Sequence, residues 1–365
     1  MRESLIEGLN TVDMQAVANE YTLSEFYYPT LFPLRYTDSL KWEQLEAEFG
    51  APVAGDVISW DARAPRKRRE IVGALKGNIA KIGVAREKTE SEWNEYTRLK
   101  RLAAGSTDAN VKNRILEWIW EDQEFCYTGV NAKLEYLAIQ AASKGKVTLT
   151  AQNNQGIVTD ANVDFLIPNA NKSGVAIPIT TANSASSLPI TMIKTQVKMA
   201  QAKNKKLNFA FTTQAVVDAI LGSAETLSFA APLLVQALNL TSTPSLQSLN
   251  VALKGSGLPQ FIVIESFITL EDKKGDRETV DPWEPGVILF SESATLGNTF
   301  HTDLADEFVT TTKSLKVKRN HVLIKRFAQE EPLVETCLAI ANAFPVMANA
   351  KNKWLVDTAN TSWSK

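Results

Sequence analysis

Side chains that commonly carry out enzyme chemistry are scarce in this chain. His301 and His321 are the whole histidine supply of 365 residues, and they read as surface or packing residues, not as a catalytic pair. Cys126 and Cys337 are the only cysteines, with no disulfide framework and no metal-ligand spacing, a usage that fits a reducing compartment. Cys126 falls on the apolar stripe of a long helix, so packing is its expected role. Asp160 and Asp164 are the pair to consider for carboxylate-driven hydrolysis, because two acids can divide general acid and base duties. They fall where a hairpin is expected, with no histidine beside them, and solvated hairpin residues are the simpler reading. No Gly-rich phosphate loop, nucleophile elbow or HExxH accompanies them, and Gly255 and Gly257 bracket a turn without a dinucleotide pattern. No catalytic residue, cofactor or metal site is therefore expected.

The strongest charge concentration is Arg66, Lys67, Arg68 and Arg69. The plain reading is a solvated tip, and the functional one is contact with an acidic neighbour. A nucleic-acid patch ranks third, because no aromatic residues are interleaved with the basic ones. A formal net charge of -2 also lies far from the basic balance of a dedicated nucleic-acid binder. With 44% hydrophobic residues the chain can bury a real core, expected as two lobes. Met1, Arg2, Glu3 and Ser4 lead into a mixed polar segment without the apolar stretch of a signal peptide, so folding in cytoplasm is expected. No window approaches the ~18 apolar residues of a membrane span.

The elements that must position these residues are dominated by one helix, predicted from Asp108 to Lys144. At about 37 residues and 1.5 Å per residue it spans roughly 55 Å. Val111, Ile115, Trp118/Ile119, Phe125/Cys126, Val130, Leu134, Leu137/Ala138 and Ala141 recur as one buried stripe, interrupted at Asp122. Asp108 or Thr107 suits the N-cap and Gly145 the left-handed position after the last turn, while Gly129 is the place where the rod would kink. Such a beam calls for a flat partner surface and points to a plate-like subunit.

Before it, Thr11 to Asn19 reads as a short helix. Phe26 to Leu34 is dense in aromatics and broken by Pro29 and Pro33, so an extended segment is predicted. Two readings stand for Phe26, Tyr27, Tyr28, Leu31 and Phe32: a strand packed on the chain's own core, or an arm laid in a groove of a neighbouring subunit. Val57 to Asp61 (with Trp60), the basic run, and the strands around Glu70 to Gly73 and Ile79 to Val84 fit a long projecting hairpin. Isolated hairpins are marginally stable, so a protruding one implies a partner surface. Glu87 to Ala104 reads as a charged helix; Val147 to Thr150 and Asn162 to Ile167 form a hairpin or meander beside the beam. Pro189 to Lys203 and Gln214 to Leu221 are predicted helices. Leu207 to Thr212, Phe261 to Glu265 and Gly286 to Phe290 are predicted core strands of an α+β or open α/β lobe. Val322 to Ile324 and Thr336 to Met347 close the chain before a Lys/Asn-rich tail.

Taken in order, these parts resemble the major capsid proteins of tailed double-stranded DNA phages, in particular the lambda-like capsid protein E family with the Hong Kong ninety-seven-type fold. The colinear set runs from the aromatic segment through Ser39–Leu45 and Ala51–Ile58 to a charged hairpin and the long helix. That helix ends in Lys144-Gly145-Lys146-Val147-Thr148-Leu149-Thr150, and Val163-Asp164-Phe165 follows. Phe209–Thr212 then leads into Ala215–Ile220, Phe261–Glu265 into Pro285–Leu289, and Ala339–Pro345 completes the set. The resemblance implies an α+β fold with an N-terminal arm (1–50) and an extended loop, the E-loop (51–86). It further implies a peripheral domain (87–188) with spine helix 108–144, an axial domain (189–310) and a C-terminal segment returning to the body (311–365).

The implied function is non-enzymatic: self-assembly into hexamers and pentamers of an icosahedral head shell around the packaged genome. Implied partners are other copies of the chain, a scaffolding protein, a portal and a decoration protein, with only non-specific contact to double-stranded DNA on the inner face and no membrane. The short stretch before the arm leaves no room for a fused scaffolding segment, so a separate scaffolding protein is expected. Localisation would be the virion, with assembly in host cytoplasm. No context identifies a crosslinking lysine–asparagine pair. An encapsulin-like cellular compartment is the alternative that shares this fold.

Overall fold

The computed structural model describes residues 3–46, 73–104, 109–150, 153–154, 162–230, 244–271, 274–310 and 313–365. It is organised by two sheets and one helix. The first sheet has six strands. Val334–Met347 is its longest member, and it pairs antiparallel with Lys81–Lys88, Val322–Gln329 and Gly297–Thr302. Leu315–Arg319 extends one end, and Leu34–Tyr36 joins Gly297–Thr302 in parallel at the other. Residues 335–347 of the long strand are buried except Leu338, as expected of a strand covered on both faces.

The second sheet runs Lys172–Gly174, Trp354–Asp357, Val287–Ser291, Phe209–Thr212, Gln260–Val263. Helices Pro189–Ala202, Gln214–Leu221 and Leu246–Gly255 cover it, and together they bury Ile190, Ile193, Val217, Ile220, Leu249, Phe290 and Trp354. This is the core of the second lobe; a larger core surrounds the spine helix and the six-stranded sheet. Sheet membership draws the lobes differently from the sequence limits in three places. Gly297–Thr302 belongs to the body sheet, whereas Lys172–Gly174 and Trp354–Asp357 belong to the second lobe's sheet.

The spine helix spans Ala109–Lys144 without interruption through Gly129, whose missing side chain lets Val84 approach. The position expected to kink instead marks close helix–strand packing. Gly145 follows with φ +68°, the left-handed conformation foreseen for it, and its N–H donates to Ala141 O at 2.9 Å. The single stripe is only half the story. Up to Phe125 the helix alternates exposed and buried positions, but Leu134 to Ser143 are buried without a break. A helix enclosed all round is an interior element, so this half threads the body where a flat seat was expected. Lys146–Thr148 pairs with Asn162–Asp164 just after it, forming the expected hairpin beside the beam.

Candidate assembly surfaces

The aromatic segment is resolved into one helical turn, Tyr28–Leu31, with Pro29 in its first turn, where a missing N–H costs nothing. The prediction of a wholly extended segment is corrected there. Tyr27 N and Tyr28 N donate to the two carboxylate oxygens of Glu135 at 3.0 and 2.7 Å, and Tyr28 OH donates to Asn131 Oδ1 at 2.7 Å. Burial raises the Glu135 pKa, while these two N–H donors pull the other way. Leu31 O accepts from Leu296 N at 2.7 Å, and Phe32 O accepts from Thr299 Oγ1 at 2.9 Å. Tyr28, Leu31 and Phe32 are buried in the chain's own core. Of the two readings, the core one holds for these three: no apolar surface is left on them for a neighbour. Phe26 and Tyr27 remain partly exposed.

Glu135 and Asn131 were not singled out from sequence. A signal existed: they sit four apart inside the apolar run Val130–Ala142, and an acid on a core-facing turn must find donors.

The stretch expected as a projecting hairpin is flanked by an antiparallel ladder, Lys41–Glu46 against Gly73–Asn78. Its first strand thus lies within the stretch assigned to the N-terminal arm. Trp42 is buried at this base, stacked on Phe344 and tilted against Phe165. Gly77 passes directly beneath the indole, where a Cβ would stand 2.7 Å from the ring. The expected strand at 57–61 with Trp60, and the basic residues Arg66, Lys67, Arg68 and Arg69, lie outside the described residues.

Charges that interrupt the apolar pattern are paired inside. Asp122, the break in the helical stripe, is buried against Lys88 (2.7 Å) and Arg86 (3.3 Å), and the Lys88 ammonium stands 4.2 Å over the Trp118 ring. Glu335 is likewise buried, accepting from Ser4 Oγ at 2.9 Å and Leu5 N at 2.8 Å, which ties down the N-terminal segment. Beside the sheet, Asp303, Asp306 and Glu307 are matched by Lys316, Lys318 and Lys325.

The histidines do meet, with ring centroids 5.9 Å apart. His321 is enclosed with neither ring nitrogen hydrogen-bonded, and burial drives its pKa down to about 3; His301 is lowered by the same cause. One enclosed imidazole, edge-on to Tyr28, beside a half-buried one matches the packing reading. Asp160 lies outside the described residues, and Asp164 accepts from Leu166 N at 2.8 Å as a turn residue. Among the described residues, no group of three or more His, Cys, Asp and Glu could hold a metal ion, and no helix is long and apolar enough to cross a membrane.

What the described surface does offer is an open groove along the spine helix. Glu25, Glu121, Glu124 and Glu265 line it with Arg86, beside Phe26, Phe125 and Phe267, the last 71% exposed. A mixed acidic and aromatic groove is suited to a cationic, partly apolar partner segment.

No protein-family model and no curated protein matches the sequence. Solved structures do. A protein described as a prophage capsid protein of Escherichia coli CFT073 superposes with a TM-score of 0.57 at 14% identity, covering 96% of this chain and 99% of its own. A phage-related protein of Bordetella bronchiseptica RB50 gives 0.48 at 10% identity, with 95% and 96% covered. The capsid of cyanophage A-1(L) gives 0.46 at 10%, with 98% and 96% covered. The fold rests on the first of these: over 96% of its length the chain shares that protein's fold, the α+β Hong Kong ninety-seven-type expected from the sequence.

Proposed function

We propose that this chain is the major capsid protein of a tailed bacteriophage, assembling into hexamers and pentamers of the icosahedral head shell that encloses double-stranded DNA. The observation that carries the reading is the shared fold over 96% of this chain and 99% of the prophage capsid protein.

The physical parts support it. A closed shell built from one sequence needs several different contacts per subunit. The second lobe, the hairpin expected beyond the Trp42 ladder and the groove along the spine helix are the surfaces assigned to them. The basic run Arg66 to Arg69 is assigned to ion pairs on an adjacent copy, and the four glutamates of the groove are of the matching sign. Each overlap of ordinary size buries about 1,600 Å², and many such overlaps per subunit make the shell far tighter than any pair. A scaffolding protein, a portal and a decoration protein belong to the proposal as partners, and the packaged DNA as a weak, sequence-independent one. The formal charge of -2 keeps adhesion to that polyanion low. In this role the chain turns over no substrate; its place is the virion, reached by assembly in host cytoplasm.

Negative-stain imaging and sedimentation of the purified full chain, alone and with its scaffolding partner, test the reading. Closed shells or capsomer rings are expected. A species that stays monomeric under both conditions would overturn it.

A further inference from the structure

Cys126 and Cys337 stand 211 residues apart in sequence and meet where the spine helix crosses the longest strand. The Cys126 Sγ–H donates to the Cys337 carbonyl at 3.3 Å, which brings the two residues into direct contact. Both side chains are buried. A third group completes the cluster. Arg326 faces Cys337 across the antiparallel ladder and is itself only 1% exposed. Its Nη2 donates to Ile119 O at 2.6 Å, yet Nε and Nη1 have no hydrogen-bond partner; Nε stands 3.5 Å from Glu335 Oε1 without the alignment of a bond. A buried guanidinium with two spare donors therefore belongs to the residue directly across the ladder from Cys337.

These surroundings make the two thiols unequal. The Cys126 donor and the Arg326 charge lower the Cys337 pKa against the effect of burial, while the same hydrogen bond and burial raise that of Cys126. Cys337 has the buried cation directly across the ladder and Cys126 holds its proton in the bond to the Cys337 carbonyl, so Cys337 is disposed to be the nucleophile and Cys126 to follow it.

We propose that Cys126 and Cys337 are a built-in site for an intrachain disulfide, closed by a small peroxide and fastening the spine helix to the central strand. The Cys337 thiolate attacks one peroxide oxygen; the O–O bond breaks, hydroxide leaves and Cys337 becomes a sulfenic acid. The Cys126 sulfur then attacks the Cys337 sulfur, the S–O bond breaks, and the hydroxyl departs with the Cys126 proton as water. The thiols lose two electrons in total, and one hydrogen peroxide is reduced to two waters, the first hydroxide taking up the proton given up by Cys337. A reducing cytoplasm leaves the pair open, and an oxidising medium closes it. The inference does not depend on the shell reading.

The test uses the full chain, purified reduced, freed of reductant, treated folded with hydrogen peroxide, then unfolded and alkylated for intact mass. Two alkylated thiols are expected before treatment and none after, with a loss of two hydrogens, a monomer on a non-reducing gel, and full reversal by dithiothreitol. The closed form should melt higher by roughly 5 °C, as expected for a crosslink of this kind in a chain of this size. Cys126→Ser should stop at a dimedone-reactive sulfenic acid on Cys337, and Cys337→Ser should leave Cys126 unreacted. Three results would overturn the proposal: both thiols surviving a dose that oxidises the urea-unfolded chain, dimedone labelling of Cys126, or disulfide-linked dimers. The wild-type mass decides by itself should either serine variant misfold.

Discussion

The indole of Trp42 lies nearly flat over the ring of Phe344, with centroids 6.4 Å apart and planes 8° from parallel. This one stack joins the ladder of Lys41–Glu46 and Gly73–Asn78 to the longest strand of the body sheet.

Trp42→Ala should cost about 3–5 kcal/mol of folding stability, the usual loss for a fully buried large aromatic. Urea unfolding reads that loss. On the shell reading the effect on assembly is larger than on stability, since the ladder flanking the expected hairpin loses this stack; sedimentation of the folded variant shows whether closed particles still form.

Glu135→Gln removes the carboxylate that accepts from both Tyr27 N and Tyr28 N. The amide keeps one good acceptor and presents a donor where the other oxygen stood, leaving one buried N–H unpaired. A loss of about 1–3 kcal/mol is expected, together with faster hydrogen exchange at Tyr27 and Tyr28, measurable by mass spectrometry. Unchanged exchange there would mean the arm is held by its apolar side chains alone.

His321 makes stability depend on pH. Its folded pKa is depressed to about 3, whereas the unfolded chain takes up the proton near the ordinary value of 6.5. Above 6.5 both states are neutral at this site and nothing is lost. As pH falls from 6.5 toward 3 the unfolded state gains the proton first, and stability drops by about 1.4 kcal/mol per pH unit, or about 2 kcal/mol by pH 5. His321→Phe should flatten that portion of the urea-midpoint profile between pH 7 and pH 5. The charged and titratable groups facing it, Lys318 and His301, remain in the variant as controls.

On the sequence reading of Arg66, Lys67, Arg68 and Arg69 as a solvated tip, reversing them to glutamate should leave the monomer's unfolding within about 0.5 kcal/mol of wild type. Shell formation is expected to fail, and wild-type assembly should weaken as salt rises. Assembly of the reversed variant at wild-type yield would remove the basic run from the list of contacts.

Much of this architecture was legible because it is local. The spine helix announces itself through its periodicity and Gly145, and Gln214–Leu221 through its apolar spacing and Gly222. The fate of Tyr28, Leu31 and Phe32 was not legible. Large apolar side chains look the same whether they fill their own core or a neighbour's groove, and the deciding groups, Glu135 and Leu296, lie over a hundred residues away. Sheet membership was hidden for the same reason: nothing within Trp354–Asp357 says that it pairs with both Val287–Ser291 and Lys172–Gly174. Arg326 is the sharpest case. In sequence it is one polar residue of an alternating strand, and only the meeting of Val322–Gln329 with Val334–Met347 places it opposite Cys337.

The long strand Val334–Met347 also sets a clock on synthesis. Glu87 finds its ladder partner Thr336 249 residues further along the chain. At translation speeds of ~5–20 residues per second, the edge at Lys81–Lys88 waits roughly 12–50 s on the ribosome before it can be covered. A nascent chain of this kind carries an open strand for most of its birth. Its yield in a cell is therefore governed by what shields that edge in the interval, as much as by the stability of the finished molecule.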